Sequence, residues 1–425
     1  MGTIVSDFAG GDAYAPALEK CVDIAEHFLG AGATSAVTTW GDYHTLINPI
    51  MTGLGLPTIS DGATGATWLA RMNALNALGS FNDAYQALDG ETDGFVLDTI
   101  NDAVVVRDSS TPANNFVGTM AEALSNNILV YPSPSTKLIR DSAGAWQSGT
   151  TLRCHYSTAG VALGLLSEPQ RTNLLLNSAS LATQSVTVSA TAYTLSFEGT
   201  GTVTLSGAST AGPLVGTGAT DRVSLTFTPS AGTLTLTVSG TVAYSNLEAG
   251  LFRTSPIVTA GSTVTRNADN LYVDLAKVPF TAAAYTIIAH AQPSPDTVLN
   301  GHFLVSVNDA TSNNRAEIVN STAGTADLTG RWRYLNNTTQ AQITTADGSA
   351  AAAFKCAIAG QADDFEFVVN GVSAGTDNAG SMPLSPTGLQ IGRAFTSGLN
   401  WSAPIGFLAM IPERLSQAEM IARTS

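Results

Sequence analysis

The chain has 425 residues, of which 44% are hydrophobic and only 12% charged, with 40 glycines and a formal net charge of −15. That length exceeds what one hydrophobic core usually serves, so two to four domains are expected. The acidic balance argues against nucleic acid or an anionic membrane as partner, and the shortage of charge leaves hydroxyls and amides to cover the surface, which favours β-structure.

From Ala15 to Leu29 the apolar residues Leu18, Val22, Ala25 and Leu29 recur at helical spacing, and Gly30 stops the run. Thr64 to Leu78 repeats the pattern through Trp68, Leu69, Met72, Leu75 and Leu78. Ser80 then caps a shorter helix that ends at Leu88. Such short helices need a partner surface, so residues 1–95 read as a helical N-terminal attachment or oligomerisation domain. No basic residue precedes Lys20, which speaks against a secretory signal, and no apolar run approaches the ~18 residues of a membrane span.

Residues 96–164 are mixed in pattern and read as an α/β connector. Val104-Val105-Val106-Arg107 predicts a strand, Thr119 with Glu122 a capping box opening a short helix, and Ile128 to Tyr131 another strand. The run Glu168-Pro169-Gln170-Arg171-Thr172-Asn173-Leu174-Leu175-Leu176-Asn177-Ser178 follows. Pro169 lacks an N–H and holds Glu168 extended, which suits a bent edge segment joining two domains.

Beyond it, Tyr193 to Phe197, Val203 to Leu205, Val223 to Phe227 and Leu234 to Val238 alternate strictly between Gly-rich turns. Leu234, Leu236 and Val238 are expected to point inward, and residues 165–265 to form a β-sandwich. From 266 to 425, strands are predicted at Tyr285 to Ala289, Phe303 to Val307, Trp332 to Leu335, Phe354 to Ile358, Phe365 to Val369 and Ile405 to Ile411. Asn370-Gly371 is the strongest hairpin signal, and Ser416 with Glu419 a capping box that starts a terminal helix. The fold class is therefore mainly β: two tandem antiparallel β-sandwich (jelly-roll) domains behind a small helical or mixed N-terminal domain.

No phosphate-cradling loop, His-x-x-x-His pair or Cys-x-x-Cys is present. Cys21, Cys154 and Cys356 are widely spaced and odd in number, so buried free thiols are expected, and neither metal nor cofactor is implied. His27, His44, His155, His290 and His302 are scattered and read as local hydrogen-bonding residues. A glycosidase needs two carboxylates at a defined separation. Asp309, Glu317, Asp363, Asp364, Glu366 and Asp377 are available, but spacing cannot pair them. Asp363-Asp364 or Asp377-Asn378 offer oxygens to calcium without a spaced ligand loop.

Sugar recognition combines an aromatic face with amides and charged groups on loops above a rigid sandwich. Arg331, Trp332, Arg333, Tyr334 and Asn336 have those residue types, as do Trp401, Asp309 and Asn313. The competing reading places Trp332 and Tyr334 on one strand face in the core, leaving Arg331, Arg333 and Asn336 outward.

The run from Glu168 to Ser178, with the later Leu247-Glu248-Ala249-Gly250 and Val264-Thr265-Arg266-Asn267-Ala268-Asp269, resembles a signature of tailed-phage fibre, spike and minor virion proteins. Phe365 to Gly371 and Leu389 to Arg393 resemble laminin-G-like or concanavalin-like jelly rolls. The resemblance covers roughly the second half of the chain. It implies a non-enzymatic head spike, head fibre or tail fibre on the virion exterior, made in the host cytoplasm. It also implies a homo-oligomer, as a trimer, joined to other virion proteins through its N-terminal region and binding host-surface polysaccharide. A depolymerase using a carboxylate pair and a purely architectural decoration or adaptor protein remain open.

Overall fold

The computed structural model describes Asn48 and residues 93–425, apart from 112–114, 133–134, 296–300, 321–326, 346–351 and 396–398. The helices expected between Ala15 and Leu88 lie outside the described residues, as do Cys21, His27 and His44.

The chain is mainly β and antiparallel, as its alternation requires. The larger sandwich stacks a ten-stranded sheet on a seven-stranded one. The first includes Phe354–Gln361, Ala284–Ala291, Pro404–Ile411 and Gly94–Asp98 side by side. The second runs Thr338–Thr344, Leu328–Tyr334, Arg315–Asn320, Phe303–Asn308, Gly388–Ile391, Leu271–Asp274 and Leu129–Val130. Between them lies one core that includes Ile287, Ile318, Trp332, Phe365, Phe367 and Leu408. The C-terminal helix Gln417–Thr424 carries the expected capping box between Ser416 and Glu419. Its Met420 joins Val96, Val105, Ile288 and Ala409 in a second core on the outer face of the ten-stranded sheet.

The smaller sandwich pairs a four-stranded sheet containing Thr202–Gly207 and Gly232–Ser239 with a three-stranded sheet of Gly218–Phe227, Tyr193–Gly199 and Ala243–Ala249. Leu234 and Leu236 are fully buried as expected, and Val238 is half-buried. At Asn370-Gly371 both residues have positive φ (50° and 72°) and Val369 pairs with Val372, the two-residue hairpin that this dipeptide favours.

The two sandwiches are nested rather than end to end. The expected connector over 96–164 is divided, because Gly94–Asp98 pairs with Pro404–Ile411 and Leu129–Val130 with Leu271–Asp274, so both join the larger sandwich. Their apolar runs are buried on both faces: Phe95, Leu97, Val104 and Val106 enter the inter-sheet core, and Val96 and Val105 the one beneath the helix. Among the described residues of this stretch, Lys137–Arg140 and Trp146–Gly149 form a separate two-stranded ribbon. The smaller sandwich is thus an insertion, and its incoming and outgoing strands, Arg171–Asn173 and Val264–Arg266, pair with each other as a neck.

That neck explains the motif between Glu168 and Ser178. Glu168 is 3% exposed and accepts from the Ser255 N–H (2.6 Å), the Ser255 hydroxyl (2.7 Å) and Arg266 Nη1 (2.9 Å). Lys137 Nζ lies 3.6 Å from Glu168 and 2.6 Å from Asp269, whose other oxygen accepts from the Tyr131 hydroxyl at 2.5 Å. Asn173, fully buried, donates to the carbonyls of Ser245 and Ile257 (both 2.8 Å) and accepts from the N–H groups of Leu175 and Leu247. The residue types at Glu168 and Asn173 are thereby accounted for, since a buried polar group must find partners or cost stability.

Candidate functional site

The seven-stranded sheet turns one face to the core and presents a polar face away from it. Period-two alternation sets this: Ile318 and Trp332 enter the core, so Glu317, Arg331 and Arg333 lie opposite. Direct cross-strand pairing then builds a row Tyr272, Gln390, Ser306, Glu317, Arg331, Gln342 across six strands. Beside it, Asn308 pairs with Arg315, Arg315 with Arg333 and Arg333 with Thr339.

At the centre three guanidiniums surround one carboxylate. Glu317, with no exposed surface, accepts from Arg315 Nε (2.8 Å) through Oε2 and from Arg331 Nε (2.8 Å) through Oε1, with Arg333 Nε 3.5 Å from Oε1. The three arginine side chains remain 13–19% exposed. Burial, and then repulsion by Arg331 and Arg315, push the Arg333 guanidinium below its ordinary pKa against the pull of Glu317. Among the atoms buried without a hydrogen-bond partner are Arg333 Nε and, three strands away on the same sheet, Gln390 Oε1. A surplus of cationic donors with an unused N–H and an unused amide oxygen suits a ligand that carries both carboxylate and hydroxyl groups.

The rim of this face holds several of the residues singled out in the sequence. Asn314 links two loops, donating to Asp309 Oδ2 (2.7 Å) and accepting from the Leu335 N–H (2.9 Å). The Asn337 N–H donates to the Asn313 carbonyl (3.2 Å), and Arg333 Nη1 to the Asn337 carbonyl (3.1 Å). Asp309, Asn313, Arg333 and Asn336 therefore meet at one end of the sheet, next to the central Arg331, whereas Tyr334 shares its strand face with the buried Trp332. The strand stops at Tyr334, one residue earlier than expected, because Leu335, Asn336 and Asn337 are left-handed (φ 34°, 54° and 66°).

Trp332 and Trp401 do not belong to the site. Trp332 is fully buried, 5.1 Å from the Phe365 ring, and Trp401 is 1% exposed with its Nε1 donating to the Gln292 carbonyl (2.8 Å). Each indole carries enough apolar area to be worth more in the core than on the surface. The sequence pattern also missed Tyr272, Ser306 and Gln390, whose only signal is the alternation that places Leu271, Val305, Val307, Leu389 and Ile391 inward.

The other reactive groups are dispersed. Asp364 and Glu366 lie on the ten-stranded sheet, where both pair with Arg414 (2.9 and 3.0 Å), far in topology from Glu317. Asp363 accepts from the Gly380 N–H, and Asp377 from that of Ala379. No group of three His, Cys, Asp or Glu side chains among the described residues is placed to hold a metal. Cys154 and Cys356 are buried free thiols. His155 Nδ1 accepts from the Arg140 N–H (3.1 Å), His302 Nδ1 lies 2.6 Å from the Asn400 carbonyl, and His290 stacks on Phe407 at 4.6 Å.

No protein-family model matches the sequence, and a search of curated proteins finds no match. Solved structures align with about a third of the chain. The CBM40 of Ruminococcus gnavus IT-sialidase, bound to alpha2,3 sialyllactose, is 12% identical over 34% of this chain and 83% of its own, with a TM-score of 0.29. The NanB sialidase from Streptococcus pneumoniae is 11% identical over 36% of this chain and 26% of its own, at 0.29. The native heptameric SAP-like pentraxin from Limulus polyphemus is 14% identical over 34% and 70%, at 0.26. These likenesses are partial, and neither a ligand nor an activity passes from them to this chain.

Proposed function

We propose that the protein is a non-enzymatic adhesin of a tailed-phage or phage-like particle, a head spike, head fibre or tail fibre, that binds host-surface polysaccharide through the polar face of its seven-stranded sheet. The observation that carries the binding reading is the guanidinium cluster of Arg315, Arg331 and Arg333 around Glu317, a surplus of positive charge in a chain of net charge −15. It favours acidic saccharides, because a guanidinium matches a carboxylate in geometry and charge. The virion assignment is supported by the Glu168 to Ser178 and Leu247 to Gly250 motifs. In this reading a homotrimer docks on other virion proteins through its N-terminal region, on the particle exterior, and multivalency turns weak sugar sites into firm attachment.

The test is equilibrium binding of the full chain to a uronic-acid polysaccharide and to its carboxyl-reduced, neutral counterpart. Arg333→Gln is expected to weaken binding to the acidic form roughly 10- to 100-fold, the worth of one charged hydrogen bond, and to leave the melting curve in place. Equal affinity for the two polymers, or an unaffected variant, would sink the reading. New reducing ends released over time would replace adhesion with depolymerisation. Labelling the subunit on intact particles tests its location.

A further inference from the structure

A second cationic centre lies between the sandwiches. The cleft has a volume of about 550 Å³ and is lined by Arg140, Trp146, Arg222 and Arg253, by Ser255 of the neck, and by Ser402 of the larger sandwich. Such a volume falls within the range of small-ligand sites.

Its charges are unevenly matched: Glu168, which also lines the cleft, is neutralised by Arg266 (2.9 Å) and Lys137 (3.6 Å). Arg140 is neutralised, with Nη2 2.6 Å from Glu198, and its guanidinium lies 4.3 Å above the Trp146 ring. Glu198 Oε1 also accepts from Trp146 Nε1 (2.9 Å), so Glu198 faces that pair and, although it lies across the strand from Arg222, forms no ion pair with it. Arg222 reaches only neutral oxygens, Ser196 Oγ at 2.8 Å and the Tyr244 carbonyl at 2.6 Å, and its Nε is buried without a partner. Arg253 is exposed and donates to the Arg222 carbonyl. Among the described residues neither Arg222 nor Arg253 has a carboxylate in ion-pair reach, and the exposed Asp221 of the same lining is paired with neither. Desolvation, aided by Arg253, outweighs the pull of the more distant Glu248, Glu198 and Glu168 and lowers the Arg222 pKa to about 10. A desolvated cation served only by neutral acceptors gains from an incoming anion.

The geometry points to a second anion-binding site in this cleft, taking a carboxylate, sulfate or phosphate group carried on a saccharide, with Arg222 and Arg253 as donors. It stands apart from the sheet face, which Arg315, Arg331 and Arg333 serve, so each site can fail without the other.

Calorimetric titration of the full chain with a uronic-acid tetrasaccharide separates them. The wild-type chain is expected to bind two equivalents, Arg333→Gln one, Arg253→Gln one, and the double variant none. Inorganic sulfate or phosphate is expected to displace the saccharide from the site that Arg333→Gln leaves. Arg253 is exposed, so Arg253→Gln is expected to melt with the wild type. A single wild-type equivalent that Arg333→Gln abolishes, or a stoichiometry unmoved by Arg253→Gln, would overturn the cleft site and spare the sheet face. Loss of only the cleft equivalent in Arg253→Gln, with no effect of Arg333→Gln, would do the reverse.

Discussion

Replacing Glu168 by alanine is expected to destabilise the protein by about 3–5 kcal/mol, the usual cost of removing one partner from a buried ion pair. The carboxylate accepts from Arg266 Nη1, the Ser255 N–H and the Ser255 hydroxyl, reinforcing the direct bond from Arg266 Nη1 to Ser255 Oγ (2.6 Å), and Lys137 adds a second positive charge beside it. Without it Arg266, itself 2% exposed, is left as a buried cation at the neck through which the smaller sandwich enters and leaves. Equilibrium denaturation of Glu168→Ala, Arg266→Ala and the double variant checks this. The double variant is expected to lose less than the two single losses combined, since the second change removes the stranded charge. A loss below about 1 kcal/mol for Glu168→Ala would mean that the neck is held by backbone pairing alone.

Acidification is expected to weaken the fold in two separate steps. Burial holds His155 and His290 at pKa values of about 4, with neighbouring Lys137 and Arg140, or Lys355, adding to the effect. The unfolded chain protonates both near 6.5. Between those values the unfolded state binds more protons, so stability falls as pH drops from about 6.5 to 4. Each histidine is expected to contribute about 2 kcal/mol to that loss, allowing for partial screening by solvent. The physical event at His155 is loss of its Nδ1 as acceptor for the Arg140 N–H.

Glu168 acts lower on the scale. Burial alone would raise its pKa, but Arg266, Lys137 and Ser255 together bring it down to about 2. Its contribution, about 3 kcal/mol, is complete above the ordinary carboxylate value and lost as pH falls through about 2. Denaturation at pH 7, 5, 4 and 2 reads both steps. His155→Gln and His290→Gln are expected to flatten the upper one, and Glu168→Gln the lower. An upper step that survives both histidine changes would refute its assignment.

Local features proved legible in proportion to how few residues decide them. The capping boxes at Thr119 and Ser416 each involve four consecutive residues, and both form as read. Asn370-Gly371 favours positive φ by itself, so its hairpin follows from two residues. The candidate site was half legible. Arg333, Asn336, Asp309 and Asn313 were chosen by residue type and do meet at one rim beside Arg331, because antiparallel pairing of Arg315–Asn320 with Leu328–Tyr334 sets the two loops side by side. Trp332 and Trp401 were chosen by the same criterion and are core, since residue type says nothing about which side of a sheet is covered.

What the sequence determines here is the set of strands, their inward and outward faces, and the turns between neighbours, all fixed by period-two alternation and by residues with special φ preferences. Tertiary structure alone decides that Gly94–Asp98 lies beside Pro404–Ile411, that one sandwich is inserted in the other, and that three arginines from two strands share Glu317. The reason is that closing a longer loop costs only slightly more entropy than closing a short one. A strand therefore takes whichever partner buries its two faces best, and no local pattern records that choice.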